Sequence, residues 1–127
     1  MAANAQTILV IDDDELLLGS VVEVLVQAGY TVLQAKNGKE GLEAALQHHP
    51  DLVLTDNLMP VLNGVDMIAG LRKDTWGKNV PVIIMTNMYT TDMLNQSLAA
   101  GATDYVMKSD ISLPKIVDLV NSRLKEE

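Results

Sequence analysis

Five short apolar runs punctuate the chain at Thr7 to Ile11, Thr31 to Ala35, Leu52 to Leu54, Val80 to Met85 and Thr103 to Met107. Between them, apolar residues return at helical spacing. Leu18, Val21, Val22 and Leu25 form the first such stripe, with Asp14 placed to cap it and Gly29 just past its end. Asn37 and Glu40 resemble a capping box ahead of Leu42, Ala45 and Leu46, and Pro50 stops that helix. Met67, Ile68 and Leu71 make a third stripe opening near Gly64. Leu94 and Leu98 make a thin fourth within Thr90 to Ala100, which Gly101 closes. A fifth helix is expected from Ser112, with Pro114 in its first turn and Leu113, Ile116, Val117, Val120 and Leu124 on its apolar face. Such alternation predicts an α/β domain: a parallel sheet, helices on both faces, linked by right-handed crossovers.

The alternation fixes where chemistry can sit. In doubly wound sheets, ligands bind outside the carboxyl ends of the strands. Those ends carry Asp12 and Asp13 after the first run, Asp56 after the third, Thr86 after the fourth and Lys108 after the fifth. The third run matters most: Asp56 follows Leu52 to Thr55 at once, and Pro60 and Gly64 then prevent continuation as strand or early helix. One sheet edge therefore receives three carboxylates, a hydroxyl and an ammonium.

Clustered carboxylates repel one another unless a cation shares the site. A hard divalent ion suits them, and Mg²⁺ needs only a few oxygen ligands, so Asp13 and Asp56 would bind directly and Asp12 through water. A carboxylate beside such an ion, a lysine and a hydroxyl can act as the nucleophile of phosphoryl transfer. Lys108 and the metal would neutralise the transferring group, and Thr86 would donate a hydrogen bond to it.

Composition narrows the alternatives. The chain has 127 residues, enough for one domain and no appended module, so the expectation is a single domain with its core between about 7 and 124. There is no cysteine, hence no disulfide, thiol nucleophile or Cys-ligated zinc. A net charge of −8 argues against nucleic acid and anionic membrane as partners. No apolar run reaches the length of a membrane span and no signal peptide is evident, which makes a cytoplasmic protein the expectation. No glycine-rich phosphate loop follows the first run, so nucleotide binding is set aside.

These residues together resemble the receiver domain of bacterial response regulators, from about Thr7 to Leu124. The match rests on Asp12-Asp13, Asp56 with Pro60 and Gly64, Thr86, the segment Gly101-Ala102-Thr103-Asp104-Tyr105, and Lys108. The resemblance implies a flavodoxin-like five-stranded parallel sheet of order 2-1-3-4-5 with five helices. It implies that Asp56 accepts a phosphoryl group from a sensor histidine kinase or phosphotransfer protein, with Mg²⁺ held by Asp12, Asp13, Asp56 and the backbone carbonyl of Leu58. Thr86 and Tyr105 would be a switch pair acting on the face of the fourth helix, fifth strand and fifth helix. A downstream protein target is implied, with no output domain in this chain, and the oligomeric state is left open between monomer and weak homodimer.

Four positions depart from the family pattern. Ser109 replaces the usual proline after the lysine and removes its bias toward a cis bond, Asn87 stands where a small residue commonly follows the threonine, and Leu58 and Met88 are apolar where some relatives carry polar groups. Two other readings stay beside the switch: a receiver-like scaffold indifferent to phosphorylation, and an aspartate-nucleophile phosphatase, which would normally place a second acid where Leu58 stands. Elsewhere, His48 and His49 suit the last turn of a helix, Met85, Met93 and Met107 read as core filling, and Trp76 reads as a partner anchor or a loop cover.

Overall fold

A computed structural model describes residues 6–59, 61–87 and 90–124, so Pro60 and Met88 lie outside the described residues. Its elements are β1 (Thr7–Ile11), α1 (Glu15–Gln27), β2 (Thr31–Ala35), α2 (Gly38–His48), β3 (Leu52–Thr55), α3 (Gly64–Lys73), β4 (Val82–Thr86), α4 (Thr91–Ala100), β5 (Asp104–Met107) and α5 (Leu113–Leu124). The five strands pair in parallel in the order β2-β1-β3-β4-β5. This is the flavodoxin-like arrangement expected from the sequence.

Alternation along the strands divides the core in two. Ile8, Val10, Leu52, Leu54, Ile83 and Met85 face α1 and α5, where Leu18, Val21, Leu25, Ile116 and Val120 meet them. Leu9, Ile11, Val53, Val82 and Ile84 face the other way, toward Ala45 of α2 and Met67, Ile68 and Leu71 of α3. β1, β3 and β4 are buried on both sides, which is why their sequences are continuous apolar runs rather than alternating ones.

The helix starts follow their caps. Asp14 accepts from the N–H of Leu17 at 3.3 Å, Asn37 from Glu40 at 2.9 Å, Asn63 from Asp66 at 2.8 Å and Thr90 from Met93 at 3.1 Å. At the far ends, Gly29 (φ 103°) and Gly101 (φ 111°) take the left-handed conformation that terminates α1 and α4.

Two apolar stripes differ from expectation. Leu46 and Leu98 are exposed, and the inward positions of α2 and α4 are small residues: Gly38, Gly41 and Ala45 in one, Ser97 alone in the other. Small residues let α2 lie close against the sheet and the loop after β3; a Cβ on Gly41 would enter Ile11, and one on Gly38 would enter the carbonyl oxygen of Leu62. Trp76 lies in a 3-10 turn, half-buried, with its ring stacked on His49 at 4.4 Å, and so covers the end of α2 as a loop lid.

Two glycines give opposite expectations. Gly19 in α1 has open space where its Cβ would be, so Gly19→Ala should stabilise by roughly 0.5–1 kcal/mol through helix propensity. Gly38→Ala must instead displace backbone and should lose about 1–3 kcal/mol despite the same propensity gain. Urea unfolding of both variants measures the contrast; a stabilising Gly38→Ala would refute the close approach of α2 to the loop.

Candidate functional site

The carboxyl ends of β1, β3 and β5 converge on one ammonium. Lys108 Nζ lies 2.8 Å from Asp12 Oδ2 and 3.1 Å from Asp56 Oδ2. All three side chains are at most about a tenth exposed, so the contacts are made largely out of water. Strand parity explains the meeting: Asp12 is two residues beyond Val10, Asp56 two beyond Leu54 and Lys108 two beyond Val106, and all three reference residues face α1 and α5.

Each carboxylate has a further backbone donor. Asp12 Oδ1 accepts from the N–H of Asp14 at 2.9 Å, so the aspartate also shapes the turn into α1, while Asp56 Oδ1 accepts from the N–H of Asn57 at 2.7 Å. Asp13 is exposed at the mouth, yet its carboxylate and those of Asp12 and Asp56 offer oxygens all within 4.8 Å of one another. Three hard oxygen donors at that spacing fit a divalent cation of the magnesium type.

Charge and burial oppose each other here. Burial pushes the Asp56 carboxyl above its ordinary value; Lys108 pulls it back, Asp12 adds to the rise, and the Asn57 N–H lowers it, with burial prevailing. Burial also works against the charge on Lys108, but its hydrogen bond to Asp12 and the charges of Asp56 and Asp12 outweigh it, and the net shift is upward.

Thr86 closes β4 at the same carboxyl edge, on the strand face that also carries Tyr105. Ile84 pairs with Tyr105, and Thr86 is two residues beyond Ile84, so threonine and tyrosine share the face that packs toward α2 and α3. Thr86 is buried and Tyr105 half-buried. Asn87 and Leu58 are exposed at the rim. Residues 108–110 form a 3-10 turn, so Lys108 reaches the cluster with Ser109 following it.

Sequence reasoning passed over Asn57. It is buried at 4 % exposure, its carbonyl accepts from the N–H of Gly64 at 2.8 Å and its side chain from the N–H of Val65 at 3.2 Å, tying the start of α3 to the end of β3. Gly64 is needed at this point, since a Cβ there would come 2.8 Å from the carbonyl oxygen of Asp56. The only sequence signal for Asn57 was the general use of asparagine to bond local backbone in turns. In the same loop Val61 has φ 72° and is 73 % exposed, a costly conformation for a β-branched residue.

Comparison with known proteins assigns this architecture to a class. Residues 8–121 match the response regulator receiver domain, and the chain belongs to that family. Among its relatives is the polar-differentiation response regulator DivK of Brucella ovis, 27 % identical over 94 % of this chain and 96 % of that protein. The transcriptional regulatory protein PrrA of Mycobacterium bovis is 35 % identical over 93 % of this chain, which spans about half of PrrA (49 %). The CheY-like receiver domain protein of Methanospirillum hungatei superposes with a TM-score of 0.90 at 27 % identity, covering 97 % of this chain and 96 % of that one. No helix among the described residues is long and apolar enough to cross a membrane.

The charge balance gives two stability expectations. Asp56 holds its proton more tightly folded than unfolded, so its contribution is full below the ordinary carboxylate range and is lost as pH rises through the raised value. Asp56→Asn, which leaves Lys108 paired with Asp12, should therefore raise the melting temperature by a few degrees at pH 7, and the gain should vanish below about pH 3.8. Lys108→Met leaves two buried carboxylates face to face and should cost up to about 3 kcal/mol at pH 7, the low end for a broken buried pair because Asp13 marks an opening to water. Thermal melts across pH check both signs.

Proposed function

We propose that this chain is a phosphorylation-dependent signalling switch in which Asp56 accepts a phosphoryl group from the phosphohistidine of a sensor histidine kinase or phosphotransfer protein. The observation that carries the proposal is the contact of Lys108 with both Asp12 and Asp56 inside a buried acidic crevice. In the transfer, a carboxylate oxygen of Asp56 forms the new P–O bond while the P–N bond of the donor breaks. The departing imidazole keeps the bonding pair and takes a proton.

The chain's own groups have separate roles in this reading. The N–H of Asn57 holds one oxygen of Asp56 and fixes the carboxylate's orientation. Lys108 stands beside the other oxygen and pairs with the charge of the arriving phosphoryl group. Thr86 donates its hydroxyl to a phosphoryl oxygen, and Tyr105, on the same sheet face, takes up the space the threonine leaves. Asp12, Asp13 and Asp56, with the backbone carbonyl of Leu58, would hold Mg²⁺. Bound there, the ion supplies positive charge against the phosphoryl oxygens.

The face formed by α4, β5 and α5 would pass the state on to a downstream protein. α4 suits that role because it buries only Ser97. The chain acts as a switch rather than as an enzyme turning over external substrate. The phosphatase reading lacks its second acid, since Leu58 occupies that position with its side chain 49 % exposed. The scaffold reading drew on Ser109 and Asn87, and it is weakened by the arrival of Lys108 at both carboxylates.

Intact mass after incubation with acetyl phosphate and Mg²⁺ tests the proposal. One phosphoryl gain is expected, absent in Asp56→Asn and absent with a chelator; no gain in the native protein would overturn it and favour the scaffold. Leu58 and Met88 are apolar at positions from which polar groups could guide an attacking water, so loss of phosphate should be slow. Leu58→Asn with Met88→Glu should accelerate it several-fold in a time course, and an unchanged rate would contradict the apolar-rim explanation.

A further inference from the structure

Arg72, near the end of α3, directs its guanidinium at backbone carbonyls. Nη1 donates to the carbonyls of Gly77 and Val80, each at 2.7 Å, and Nη2 to the carbonyl of Gly101 at 2.5 Å. These acceptors belong to three segments: the 3-10 turn after α3, the stretch leading into β4, and the turn between α4 and β5. No ion pair to Arg72 occurs among the described residues, although burial disfavours its charge. Gly101 fits the contact doubly, being left-handed and so close that a Cβ would lie 2.7 Å from Arg72 Nε.

Among the described residues, the two ends of α4 are held very differently. At the C-terminal end, Arg72 holds Gly101, the N–H of Ala102 donates to Ser97, and Thr103 exchanges two bonds with Val82, N–H to carbonyl at 2.7 Å and hydroxyl from N–H at 3.1 Å. The N-terminal end has its own Thr90 cap, and Thr91 and Asp92 are exposed. Beside the N-terminal and middle turns of α4 lies a cavity of about 340 Å³, with Met93 and Gln96 on one wall and Asn57, Leu58 and Asp66 on the other. The helix thus has a fixed end far from Asp56 and room at the end nearest Thr86.

We infer that Arg72 is a positioning residue, the pivot that fixes the C-terminal end of α4 and confines movement of that helix to its N-terminal half, over the cavity beside Asn57. The inference rests on the switch reading above, because the movement it confines is the one linked to Asp56. A planar fork is required, since a lysine ammonium cannot reach three carbonyls from three segments in one geometry.

Residue-resolved hydrogen exchange on the native protein, Arg72→Lys and Arg72→Met, each with and without beryllium fluoride plus Mg²⁺ as a phosphoryl mimic, tests it. In the resting state both variants should exchange roughly tenfold faster at Gly101 and Ala102, with Leu9 and Val53 unchanged. With the mimic, the native change should be confined to Met93 to Gln96, whereas in the variants it should spread to Gly101. Unchanged exchange at Gly101 and Ala102, or the same extent of change in native and variant proteins, would overturn the inference. Should Arg72→Met lose protection throughout the sheet, Arg72→Lys decides; sheet-wide loss in the lysine variant as well would make Arg72 a general stability residue and overturn the pivot. A native protein indifferent to the mimic would overturn the switch reading and the confined movement with it, while resting exchange at Gly101 still reports the fastening separately.

Discussion

One ammonium between two buried carboxylates is the constraint around which this molecule is arranged. Asp12 and Asp56 come from neighbouring strands, and like charges so close and so little hydrated would not tolerate each other without Lys108. The lysine arrives from the far edge of the sheet, past β4, so the sheet order and the parity of three strand ends must all agree for the contact to form. A slip of one residue in any of those strands would turn its charged group to the other face.

Around that centre the packing is uneven. β1, β3 and β4 are buried on both faces and make a rigid floor, and α1, α3 and α5 each press buried apolar residues against it. α4 contributes one buried serine. A helix so lightly packed depends on polar fastening, and Arg72 supplies it from α3. Rigidity at Asp56 and looseness in a neighbouring helix are what the proposed two-state switch needs.

Much of this was legible in the sequence because strand ends are legible. Apolar runs that stop at an acid, a threonine or a lysine locate the edge on which those groups meet, and caps such as Asp14, Asn37 and Ser112 locate helix starts. What could not be read depends on distant partners. Leu46 and Leu98 occupy helical stripe positions, yet the faces they occupy turn to water because small residues set the approach of α2 and α4. Arg72 looks like an ordinary basic residue in the last turn of a helix, and only the fold brings Gly77, Val80 and Gly101 within its reach. Trp76 reads two ways in the sequence because its partner ring, His49, lies at the end of another helix.

Whether the charges of Asp12 and Asp56 hold Lys108 is measured by a double-mutant cycle over Asp12→Asn and Lys108→Met, with unfolding free energies taken at pH 7 without divalent cations. If those charges hold the lysine, Asp12→Asn recovers much of the stability that Lys108→Met loses, giving a coupling of roughly 1–3 kcal/mol. Additivity within about 0.5 kcal/mol would contradict it, because the carboxylate and the ammonium would then be stabilised by something other than each other.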